Sequence, residues 1–155
     1  MMSFAKAIPE KAIHIGHFHV HGDTMTFHRK EGYRRKDIKA LGDVVYFMYV
    51  KGELYKIGKA GGASGFAGRV GTYNRGRLGD ATNNRIIDVM EDIQQKDIEV
   101  YCVQIPRPVV EYTCPITNEV YKIPVSIHKD IESLYTDKYL TEDLSHELPF
   151  CNQLT

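Results

Sequence analysis

The chain has 155 residues, 43% of them hydrophobic and 26% charged, enough for one compact domain that buries a core without disulfide or metal staples. No apolar run approaches the ~20 residues of a membrane helix. The opening MMSFAKAIPEKAIHIG lacks the apolar stretch of a secretory signal, so a cytoplasmic location is expected. Three cysteines, Cys102, Cys114 and Cys151, are odd in number and form no CxxC pair, which argues against a disulfide framework or a structural zinc and predicts buried, reduced thiols.

The formal net charge of +0 hides an asymmetry. Residues 29–85 carry thirteen Lys/Arg against five Asp/Glu, and residues 86–155 carry five against thirteen. Such a chain can offer one basic face to a polyanion, unless the two halves interleave in the fold and cancel.

In chain order, AIHIGHFHVH (12–21) alternates as a strand, and Gly22-Asp23 followed by TMTFH makes it a hairpin. His17, His19 and His21 then share one face. Imidazoles are good zinc ligands, but a flat row suits a polar sheet face better than a tetrahedral cage. HRKEGYRRKDIK follows as a basic loop or short helix, with Arg34 and Arg35 as candidate contacts to nucleic acid. DVVYFMYV (43–50) is a buried strand, Lys51-Gly52-Glu53 a turn, and LYKIGKA its hairpin partner.

After the glycine-rich GGASG, the run FAGRVGTYNRGR reads as a short helix bearing Phe66, Val70 and Tyr73. Asp80 or Thr82 can cap the next helix, RIIDVMEDIQQ, whose Ile86, Ile87, Met90 and Ile93 share a side. IEVYCVQI is a further strand, VVEYT and EVYKIPV flank a turn, and a last helix from about Ser126 places Ile127, Ile131, Leu134 and Tyr135 on one face. The apolar tail ELPFCNQLT is expected to dock on the domain. The order predicts an α+β domain, a small antiparallel sheet flanked by helices, with an N-terminal β-hairpin extension. Residues 1–42 form the hairpin and basic arm, and residues 43–155 the main unit.

Tyr46 and Lys56 can approach one another across the second hairpin, and Arg69 follows on the next helix. A phenol to activate or orient water, cations to stabilise phosphorane-like charge, and a carboxylate to hold a metal are what phosphodiester hydrolysis requires. At this point the sequence resembles the GIY-YIG nuclease superfamily. Val44-Val45-Tyr46 stands for the first element and Lys56-Ile57-Gly58 for the second, with Arg69 on the first helix and Tyr73 one turn on. Glu132 in DIESLY matches the metal-binding glutamate and Asn152 the terminal asparagine, so the similarity runs over roughly residues 43–152. The Lys-Ile-Gly form resembles the variant of some phage proteins and restriction endonucleases.

The resemblance implies a Mg²⁺- or Mn²⁺-dependent endonuclease whose partner is nucleic acid, double-stranded DNA foremost. Tyr46 would activate water, Lys56 would lower the phenol's pKa, Arg69 would bind the scissile phosphate and Glu132 the metal. Lys59, Tyr73, Arg34, Arg35, Arg75 and Asn152 would support the substrate. Cutting both strands with one site per chain implies a homodimer or two successive nicks. An inactive nucleic-acid-binding module and an RNA-cleaving nuclease or toxin are the alternatives.

Overall fold

A computed structural model describes residues 9–142. Asn152, Cys151 and the expected docked tail lie outside the described residues.

The N-terminal hairpin forms as its alternation predicts, from β1 (Ile13–His21) and β2 (Thr24–Arg29). The basic segment becomes the short helix α1 (Arg35–Lys39). The second hairpin is β3 (Val44–Val50) and β4 (Glu53–Ala60), and α2 (Gly65–Tyr73) follows, ending in a 3-10 turn at Gly76–Leu78. Then come α3 (Ala81–Asp92), β5 (Asp97–Gln104), β6 (Val109–Thr113), β7 (Val120–Pro124) and α4 (His128–Glu142). Asp80 caps α3, its carboxylate accepting from the Asn83 amide at 3.0 Å.

Five strands make one antiparallel sheet in the order β2-β1-β5-β3-β4, and β6-β7 form a separate ribbon. The N-terminal hairpin is thus continuous with the main sheet, because β1 pairs with β5. Every residue of β3 is buried, as its unbroken apolar run requires of a strand covered on both faces. One face carries Val44, Tyr46, Met48 and Val50 into a cluster with Phe66 and Tyr73 of α2 and Ile86, Ile87, Val89 and Met90 of α3. The other carries Val45, Phe47 and Tyr49 against Ile127, just before α4, and Ile131 and Tyr135 of α4. Among the described residues no helix is long and apolar enough to cross a membrane.

Three expected placements change. Ile93 lies just beyond α3 and is 37% exposed, and Val89 takes its place in the core. Leu134 is exposed, because α4 meets the sheet along a narrow i, i+4 seam of Ile127, Ile131 and Tyr135. Cys114 sits half-buried in the β6–β7 turn, whereas Cys102 is buried in the core, which pushes its thiol pKa up.

Candidate functional site

The register of the second hairpin decides what meets what. Tyr46 stands opposite Gly58 and Met48 opposite Lys56, with a bulge at Met48/Tyr49. Gly58 has no side chain, and the phenol occupies the space one would fill. A Cβ there would lie 2.2 Å from Tyr46 Cζ and 2.3 Å from its Oη. The glycine is required by this close approach, not by backbone conformation. Since β4 is an edge strand, the Tyr46 hydroxyl is thereby brought to the border of the sheet.

Three groups surround that hydroxyl. Tyr46 Oη and Tyr73 Oη are hydrogen-bonded at 2.6 Å. Arg69 Nε donates to Tyr46 Oη at 3.3 Å, and its guanidinium carbon lies 5.0 Å from the Tyr73 ring centroid. Phe66 meets the Tyr46 ring edge-on, with centroids 5.5 Å apart. The spacing of Phe66, Arg69 and Tyr73 along α2 turns all three toward β3. α4 packs against β4 and β3 from the opposite face, and Glu132 lies near enough for its charge to act on the Tyr46 phenol.

The electrostatics differ from the expectation. Burial raises the Tyr46 pKa above the ordinary phenol value; the Arg69 charge and the bonds from Tyr73 and Arg69 oppose this, and Glu132 raises it further. Lys56 does not lower it below the ordinary range. The lysine shares the face of Tyr46 but is its diagonal neighbour, a position on the order of 7–8 Å away at Cα. At 1% exposure the phenol loses more to desolvation than a cation at that range returns. Tyr73, expected to touch substrate, is fully buried, and burial raises its pKa well above the ordinary value; it is an inner partner of Tyr46. Arg69 is half-buried, which works against its charge, yet the two phenols hold its pKa above the usual guanidinium value.

The remaining candidates are dispersed. Lys59 pairs opposite Val45 and projects to the α4 face of the sheet. Arg34 caps α1 and pairs with Asp37 at 3.6 Å. Arg35 lines a cleft beside α2, and Arg75 is exposed just past that helix. The histidine row is engaged laterally: His14 pairs with Glu99, His19 Nδ1 bonds Asp97 Oδ1 at 2.9 Å, and the His17 ring stacks on His28. Among the described residues no three His, Cys, Asp or Glu side chains converge as a metal cage.

A cluster that the sequence did not announce lies at the same end of the sheet. Asp43, just before β3, has a side chain 1% exposed. It accepts from Arg107 Nε at 2.8 Å and Arg107 Nη2 at 2.9 Å, and the Gly62 amide lies 3.4 Å away. His128 Nδ1, in the first residue of α4, is 3.5 Å from Asp43 Oδ2. The Arg107 guanidinium holds the Asp43 carboxyl down to about 2, against the opposing effect of burial. Gly61 is needed for close approach here, since a Cβ would lie 2.6 Å from His128 Cε1 and 2.7 Å from Asp43 Oδ1. His128 and Glu132 are one turn apart on α4. The buried carboxylate therefore anchors the turn from which Glu132 projects.

No protein-family model matches the chain, and no curated protein sequence does. Solved structures of similar fold include restriction endonuclease HPY188I in complex with product DNA, 18% identical over 88% of this chain and 80% of that one, with a TM-score of 0.53. A mutant of bacteriophage T4 EndoII is another, 13% identical over 83% of this chain and 87% of that one, with a TM-score of 0.54. This chain has the fold of those two proteins.

Proposed function

We propose that this chain is a divalent-metal-dependent endonuclease acting on DNA, of GIY-YIG type in its Lys-Ile-Gly form. The observation that carries the reading is a phenol hydrogen-bonded to a guanidinium, Tyr46 to Arg69, with the charge of the Glu132 carboxylate acting on the phenol. These three residues come from three separate elements of a fold shared with a restriction endonuclease in complex with product DNA.

In this reading Arg69 binds the scissile phosphate and stabilises the charge gathered in the transition state. Tyr46, a residue 1% exposed, would orient the attacking water and, once its hydroxyl has given up its own proton, would take one from that water as the phenolate. Its raised pKa keeps the phenol protonated at rest, so that transfer needs added positive charge beside it. Glu132 suits a magnesium-like ion held by one carboxylate together with waters and substrate phosphate, which does not need a cage of protein ligands. Such an ion would polarise the phosphate and offset the carboxylate's field at Tyr46.

Supercoiled plasmid incubated with the chain and Mg²⁺ or Mn²⁺ is expected to be nicked or linearised, and EDTA or Glu132→Gln to abolish this. No cleavage under any of these conditions would sink the reading. The burial of Tyr46 favours one competitor, a binding module that keeps the fold without turnover. It predicts salt-sensitive DNA binding that Glu132→Gln leaves unchanged, and no product.

A further inference from the structure

A cleft of about 930 Å³ separates the N-terminal arm and α1 from α2. Its α2 wall is Ala67, Gly68, Val70 and Gly71, with Ser64 and Asn74 at the helix ends. At 100° per residue these positions face away from Arg69, so the cleft lies around the helix from the Tyr46 site. The facing wall brings in Arg29, Lys30, Arg35 and Lys39 against one carboxylate, Glu31. All four cations are exposed, and among the described residues none of them is held in an ion pair. Elsewhere the basic half of the chain is partly neutralised. Arg77 pairs with Asp23 at 3.0 Å and Asp88 at 2.7 Å, and Arg34 with Asp37 at 3.6 Å.

Two cationic surfaces therefore flank α2: Arg69 on one side and the cleft on the other. They stand about one helix diameter apart, on the order of 10 Å. The two backbones bordering the major groove of B-DNA are separated by about 12 Å, a width that admits an α-helix. On the cleft side of α2 Gly71 has open space where a side chain would stand, and Ser64 covers Gly68, so apart from Val70 and Asn74 only small side chains stand between the helix and a backbone. We infer that the cleft receives the phosphodiester backbone of the strand opposite the one being cut, with α2 lying between the two backbones. This rests on the reading of the Tyr46 site as a DNA nuclease.

The test uses a duplex in which a nicking position has been mapped, with single neutral methylphosphonates placed in turn along each strand. Binding is measured without divalent metal for the unaltered chain and for the double variant Lys30→Ala/Lys39→Ala. The variant is expected to flatten the slope of log Kd against log salt by about 1.8, two phosphate contacts at about 0.9 each on duplex DNA. The methylphosphonates whose penalty disappears in the variant are expected on the uncut strand. An unchanged slope overturns the inference, and so does a lost penalty confined to the cut strand. If plasmid cleavage still depends on Glu132 while the slope is unchanged, the cleft assignment fails and the nuclease reading stands. If the unaltered chain neither cuts nor binds the duplex, both fail.

Discussion

Gly58→Ala separates the geometry of the site from the stability of the fold. A methyl at that position would lie 2.2 Å from Tyr46 Cζ, while ordinary contact begins near 3.4 Å, so ring and strand must part by at least 1.2 Å. The ring has little room to retreat, with Phe66 against it and its hydroxyl held by Tyr73 at 2.6 Å. Overpacking of this kind costs about 1–3 kcal/mol, which for a domain this size lowers Tm by a few degrees. A misplacement of ~1 Å at a reacting group can cost about 10²-fold in rate. Single-turnover nicking of supercoiled plasmid, run well below the Tm of the variant, is therefore expected to slow about 100-fold with duplex affinity nearly unchanged. Because the effect acts through Tyr46, adding Tyr46→Phe to Gly58→Ala should cost little more than either change alone. A folded Gly58→Ala protein that cuts at the unaltered rate would refute this argument, as would a double variant whose losses multiply.

Two further changes probe what holds the site. Asp43→Asn removes a carboxylate whose folded pKa of about 2 lies below its unfolded 3.8, so the stabilisation is complete above about pH 4 and is lost as pH falls through about 2. The shift corresponds to at most about 2.5 kcal/mol, an upper value because Arg107 is 42% exposed. Urea unfolding should show the variant weaker by up to that amount at pH 7 and the gap closing toward pH 2; a gap independent of pH contradicts it. Asn83 is fully buried and donates to the Thr72 carbonyl at 2.8 Å and the Gly76 carbonyl at 3.1 Å, fastening the end of α2 and the turn after it to α3. Asn83→Ala is expected to cost about 2 kcal/mol in the same unfolding assay, and a loss under 0.5 kcal/mol would show that those carbonyls find other partners.

The sequence by itself determined the elements and their class. Alternation marked β1 and β2, the unbroken apolar run marked β3, and Asp80 marked the start of α3, because these depend on periods of two and 3.6 residues and on local capping. It also singled out Tyr46, Arg69 and Glu132, the residues to which we assign the proposed chemistry. It did not express the burial of Tyr73 or the diagonal position of Lys56. Ten residues across a turn leave the register open, and the bulge at Met48/Tyr49 sets Tyr46 opposite Gly58, with Lys56 on the diagonal. The pKa of Tyr46 follows from desolvation, a property of the packed core that spacing cannot express.

Only the tertiary structure joined Asp43, Arg107 and His128, which are 64 and 85 residues from the first to the others and share no motif. Likewise, only the packing of α1 beside α2 decided which cations stay unpaired. Charge summed along a chain says nothing about which residues of opposite sign the fold will lay against one another. Arg77 found its acids, and the cations of the cleft did not.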